Sequence, residues 1–174
     1  MSSKFLKTVI LSLSLIAALI TADANAAAGE KTFGVKTGYV SRNTSALAGL
    51  FFQYSFSDHF RIAPDAEVVF RHKDRDAFII DLDCQFPFKF AQDGKTSLYP
   101  IAGLNYSSWN RHMTKVEEDQ TKDVSSRSGK FGLNLGAGFD LKCSSTLKLS
   151  LEARYSLVKS NSSVQISAGI GYIF

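Results

Sequence analysis

The chain has 174 residues, 45% of them hydrophobic, with a formal charge of +4, a size that suits a single domain. Its lysines and arginines are dispersed and form no basic tract, which excludes nucleic acid as a partner. Fourteen Phe and six Tyr against only three Pro, with glycines scattered through periodic segments, favour strands over helices.

The first segment reads as a leader. Lys4 and Lys7 precede an apolar run from Val9 to Ile20, and Ala24 and Ala26 then stand in the A-x-A arrangement that signal peptidase accepts. The run is shorter than the roughly 20 apolar residues of a spanning helix and is interrupted by Ser12 and Ser14. We therefore expect a cleaved signal peptide over residues 1–26 and one folded domain over residues 27–174.

Eight strands follow in chain order, defined by alternation. Phe33, Val35 and Tyr39 oppose Lys36 and Arg42; Leu50, Phe52, Tyr54 and Phe56 oppose Gln53 and Ser55. In the third, Phe60, Ile62, Ala66, Val68 and Phe70 oppose Arg61, Asp65, Glu67 and Arg71. In the fourth, Phe78, Ile80, Leu82, Phe86, Phe88 and Phe90 oppose Asp81, Asp83, Gln85 and Lys89. The fifth, around Ser97 to Asn110, is irregular because Ile101 breaks the face of Ala102, Leu104 and Tyr106.

The last three obey strict period two, the signature of a strand with one apolar face. Phe131 to Leu141 oppose Lys130, Gly132, Asn134, Gly136, Gly138 and Asp140. Leu147 to Leu157 oppose Lys148, Ser150, Glu152, Arg154 and Ser156. Val164, Ile166, Ala168, Ile170, Tyr172 and Phe174 oppose serines, glycines and Gln165.

These strands reach or exceed the about 9 to 11 residues that cross a bilayer at a tilt, where strands of soluble proteins average about 5 or 6. Aromatics gather toward the strand ends, with Phe33, Phe88, Phe90, Phe139 and Phe174 at one rim and Tyr39, Phe70, Tyr106, Trp109 and Tyr155 at the other. Such girdles mark membrane interfaces. The predicted fold is all-β, an eight-stranded antiparallel up-and-down transmembrane β-barrel. Connections after the second, fourth and sixth strands are short, whereas a polar loop rich in Lys, Glu and Asp runs from Arg111 to Ser128. Short turns face the periplasm in such barrels, so both termini are expected there and the long loop outside.

The leader, the glycine-aromatic stretches GLNY and GAGF, and the terminus ISAGIGYIF together resemble the outer-membrane β-barrel domain proteins, the small eight-stranded, porin-like barrels of Gram-negative envelopes. The resemblance implies residence in the cell outer membrane, contact with its lipid, and recognition by the barrel-assembly machinery through the terminal Ile166, Ala168, Ile170, Tyr172 and Phe174.

An eight-stranded barrel leaves room only for side chains, so the polar face should form a luminal charge network. Its expected members are Lys36, Arg61, Asp65, Glu67, Arg71, Asp81, Asp83, Lys130, Asp140, Glu152 and Arg154, with Lys148 on the same face. Paired acids such as Asp81 and Asp83 fit partners for luminal cations better than a metal site, because no His or Cys cluster accompanies them. No cofactor is expected. His59, His72 and His112 each fall at a turn or loop and not in the HxS arrangement that the lipid A deacylases among small outer-membrane barrels use, so no catalytic residues are assigned. Cys84 lies within a strand and Cys143 at a turn about six residues away along the barrel, an offset that disfavours a disulfide.

The resulting expectation is a structural or surface-interaction barrel whose loop 111–128 is the candidate contact for an extracellular ligand. The alternatives are a narrow-pore channel, a lipocalin-like carrier with inverted faces, and a lipid-modifying enzyme.

Overall fold

The computed structural model of the chain describes residues 28–72, 75–89, 95–117, 120–159 and 162–174, and of residues 112–117 and 120–125 the backbone alone. The proposed leader therefore lies outside the described residues, as does Phe90.

Among the described residues nine strands follow in chain order: β1 Lys31–Val40, β2 Ser45–Ser57, β3 Phe60–His72, β4 Arg75–Gln85, β5 Phe88–Lys89, β6 Thr96–Glu117, β7 Gln120–Lys142, β8 Leu147–Val158 and β9 Ser163–Ile173. Every neighbouring pair is antiparallel. β1 pairs with β9 as well as β2, and β4 pairs with β6, so the sheet closes on itself. β5 is a stub of the β4 strand. Gln85 faces Ile101 and Phe88 faces Leu98, the same register on β6, with a break at Phe86–Pro87 where proline offers no N–H to the ladder. The barrel therefore has eight staves, and the expected fourth strand is continuous except at this break.

Alternation assigns the faces, and burial confirms them. Among the described residues twenty-six large apolar side chains, including Phe33, Leu50, Ile80, Leu104, Phe131, Leu151, Ile166 and Phe174, are 36–81% exposed. A soluble protein rarely exposes so continuous an apolar surface. This band is the lipid-facing wall, and it rules out the carrier arrangement, which would put these residues inside. Aromatic clusters edge it. Tyr54, Phe56, Phe60 and Phe86 contact one another in series at the end that carries the termini, with ring centroids 4.7–5.7 Å apart. Toward the opposite end Tyr106 packs on Phe131 at 4.9 Å.

Of the stretch 111–128, expected as a loop, residues 111–117 and 120–128 are strand. The β6–β7 ladder runs without interruption from Thr96 opposite Leu141 to Glu117 opposite Gln120. Pairing with β4 stops at Arg111 and pairing with β8 stops at Gly132, so beyond the rim β6 and β7 pair only with each other as a two-stranded ribbon. Polar residues on both faces removed the alternation by which a strand is recognised. The barrel thus has a ribbon end and, opposite it, a termini end where Lys31 of β1 and Ile173 of β9 lie.

Candidate functional site: the lumen and the ribbon-end vestibule

Among the described residues, the inner face holds ten buried charged residues, four cations and six carboxylates. Arg154 on β8 is the hub. Its Nη1 donates to Asp65 and Asp81 at 2.9 Å and to Asp83 at 3.0 Å, and its Nη2 to Glu67 at 2.5 Å. One planar guanidinium thus gathers four acids from β3 and β4, which a lysine with a single nitrogen could not do with the same geometry. Lys36 on β1 completes this layer, 2.5 Å from Asp65 and 2.7 Å from Glu67. Asn105 donates to Asp81 at 2.6 Å and Asn134 to Asp83 at 3.1 Å. The carboxylate oxygens of Asp65, Glu67 and Asp81 lie within 4.8 Å of one another, a spacing that would suit a cation. Arg154 supplies that positive charge.

A second layer lies nearer the termini end. Arg61 binds Asp140 at 2.6 Å and Gln85 at 2.5 Å, Lys148 donates to Gln53, and the Tyr99 hydroxyl donates within reach of both Glu152 at 3.0 Å and Asp140 at 3.2 Å. Buried charges are tolerable only when paired and hydrogen-bonded in this way. Glycines on the inner face make the space. A Cβ on Gly138 would stand 2.3 Å from the Tyr99 ring, and one on Gly34 2.5 Å from the Phe51 ring.

Of the expected network, Lys36, Arg61, Asp65, Glu67, Asp81, Asp83, Asp140, Glu152 and Arg154 come together inside, joined by Lys148. Arg71 and Lys130 do not. Arg71 is exposed at the end of β3, and Lys130 stands half-exposed, donating to the Lys159 carbonyl at 3.1 Å. Both have inward parity but sit above the point where the wall encloses them. Lys89 pairs with Asp58 at 3.1 Å at the termini end. Cys84 and Cys143 are free thiols.

Above the ionic layers the lumen is apolar. Val40, Leu47, Val69, Ala77, Ile79 and Trp109 form one buried cluster at the ribbon end. Trp109, expected in the outer girdle, instead faces inward and is 9% exposed. Ile101, the residue that broke its strand's pattern, is likewise luminal and buried. The lumen thus holds two packed layers, one of ion pairs and one of hydrocarbon.

Trp109 is also the floor of an open cavity of about 240 Å³, walled by Arg42, Arg75, Arg111 and Lys130 together with Asn110, Ser126 and Ser128. The β1–β2 turn is fastened in place there: the Asn43 amide donates to the carbonyls of His72 and Arg75, and the Ser45 hydroxyl to the Asn43 carbonyl. Thr44 closes the turn at φ +53°, a left-handed conformation rare for a β-branched residue. The consequence is that Arg42 is held with its guanidinium 5.6 Å from the Trp109 ring centroid, a cation–π distance.

Of the three histidines, His59 is at a termini-end turn and His72 at the ribbon end, a barrel's length apart, and the side chain of His112 lies outside the described residues.

The family model for the outer membrane protein beta-barrel domain matches residues 11–174. No curated protein sequence matches significantly. Solved structures share the fold. The N-terminal barrel domain of OprF from Pseudomonas aeruginosa superposes with a TM-score of 0.63 at 16% identity, over 84% of this chain and 98% of that one. Neisserial surface protein A gives 0.63 at 18%, over 83% and 96%. Ail, the attachment invasion locus protein of Yersinia pestis, gives 0.58 at 18%, over 84% and 99%, and has also been solved with the heparin analogue sucrose octasulfate. With a closed antiparallel barrel, an apolar outer wall and a family match over nearly its whole length, this chain belongs to the outer membrane protein beta-barrel domain family and resides in the cell outer membrane.

Proposed function

We propose that this protein is a non-conducting, non-enzymatic surface-interaction barrel, exported behind a signal peptide cleaved after Ala26 and presenting its ribbon end to the outside. The observation that carries the reading is the packing of the lumen: among the described residues, a four-cation, six-carboxylate ionic core beneath a cap built around Trp109. A barrel that transmits nothing through its centre acts through its surfaces. Two are built for contact, the β6–β7 ribbon and the vestibule at its root. The orientation follows from the termini-end turns, such as the one at residues 143–146, where the Ser144 hydroxyl accepts from the amides of Thr146 and Leu147 in a tight local turn. The complex of Ail with a heparin analogue supports the idea that a barrel of this shape serves as a ligand-bearing surface. Assembly is assigned to the terminal strand, whose Ile166, Ala168, Ile170, Tyr172 and Phe174 all lie on the lipid face; we propose that the barrel-assembly machinery reads this face.

An epitope inserted between residues 118 and 119 tests the orientation. Antibody should label intact cells. Labelling only after the outer membrane is permeabilised would place the ribbon in the periplasm and overturn the reading.

A further inference from the structure

The vestibule gathers cations from four places in the fold. Arg42 of the β1–β2 turn, Arg75 of β4, Arg111 of β6 and Lys130 of β7 line one cavity beside Trp109. The register makes the crowding unavoidable. Arg75 on β4 is the direct cross-strand partner of Arg111 on β6, and like charges directly opposite each other destabilise a sheet. Arg42 is then brought against both by the Asn43 bonds to the β3–β4 hairpin. Partial burial first, and then the guanidiniums of Arg75 and Arg111, push the Arg42 pKa below the ordinary arginine value. Arginine forks are suited to bidentate recognition of tetrahedral oxyanions. Ser126 and Ser128, on the inner face of β7, add hydroxyl donors, and the Asn110 amide stands at the wall.

We propose that this vestibule binds a sulfate or phosphate ester, gripped by Arg75 and Arg111 with Arg42 above the Trp109 floor. The inference rests on the surface-interaction reading and deepens it by naming the ligand chemistry. The volume of about 240 Å³ admits one ester group with part of the sugar that bears it. Such esters reach this position from two sources: the phosphorylated sugars of lipopolysaccharide in the protein's own leaflet, or a sulfated glycan from outside.

The sequence contains one tryptophan, so intrinsic emission reports the floor of the site directly. The full barrel, refolded into phosphatidylcholine liposomes, is titrated with a trisulfated heparin disaccharide. In a second arm, liposomes are prepared with and without lipopolysaccharide. The expected result is a saturable change in Trp109 emission in at least one arm, weakened by salt. It should weaken about ten-fold or more in Arg111→Gln, the loss of a charge-assisted bond. The responding arm identifies the source. Arg75→Gln serves as a second variant, and heat-dependent gel mobility verifies that both variants fold. Absence of any emission change in both arms, or a response of wild-type affinity in both variants, overturns the proposal. Binding of the disaccharide with Trp109 emission unaltered also overturns the vestibule while leaving the surface-interaction reading standing. That reading fails separately, if the barrel conducts.

Discussion

Replacing Arg154 by methionine tests the ionic core. The substitution keeps much of the side-chain volume and removes the one group bonded to Asp65, Glu67, Asp81 and Asp83 together. Lys36 remains beside Asp65 and Glu67, but Asp81 and Asp83 keep only the amides of Asn105 and Asn134. Breaking a buried ion pair by deleting one partner costs about 3–5 kcal/mol, because the charge left behind is uncompensated. Two acids lose their cation here, so the upper part of that range is expected. The assay is equilibrium urea unfolding in liposomes, followed by tryptophan emission and by heat-dependent gel mobility. Adding Asp81→Asn and Asp83→Asn to Arg154→Met removes the stranded charges and should recover most of the loss, since exchanging a whole buried ionic group for neutral residues is often near neutral. A cost below about 1 kcal/mol for Arg154→Met alone would refute the view that this guanidinium holds the layer together.

Gly138→Val should cost about 1–3 kcal/mol by overpacking, because the added Cβ meets the Tyr99 ring and drives its hydroxyl from Asp140 and Glu152; urea unfolding measures it. Leu151→Arg, at mid-height on the lipid wall, should destabilise by about 2–4 kcal/mol in liposomes, whereas a soluble fold with this face in water would hardly respond. Removing Phe174, at the end of the lipid-facing row of the terminal strand, should lower the amount of heat-modifiable protein in the outer-membrane fraction, and unchanged yield would count against the assembly signal. Asn43→Ala should cost about 1 kcal/mol through its lost bonds to His72 and Arg75, and should also weaken the Trp109 emission response to the sulfated disaccharide.

Much of the barrel was legible because its two faces live in opposite solvents. Along β7, β8 and β9 lipid demands an apolar residue at every second position and the crowded lumen demands a polar or small one, so period two is unbroken and parity alone places Arg154, Asp140 and Gln165 inside. That logic fails where the inner face is itself apolar. Val68, Val69 and Phe70, and Ala77 to Ile80, are continuous apolar runs in which alternation vanishes, which hides the cap formed by Val69, Ala77 and Ile79. Trp109 and Ile101 were displaced or unexplained for the same reason. Above the rim β6 and β7 carry mostly polar residues at successive positions, so the ribbon reads as a loop. Parity also left Arg71 and Lys130 in the lumen, because it specifies a direction and not a height along the axis. The vestibule needed register: Arg75 and Arg111 are 36 positions apart in sequence, and only the β4–β6 ladder sets them opposite one another.

The claim that the lumen is closed is the centre of this account, and single-channel recording of the refolded barrel in a planar bilayer tests it most directly. The wild-type protein should show no conductance steps above the bare membrane. Trp109→Ala should remain closed as well, because the Arg154 layer lies beneath the cap. Stable ohmic steps from the wild-type protein would contradict the account, since ions would then be crossing a core in which Arg154 and its four carboxylates leave them no path.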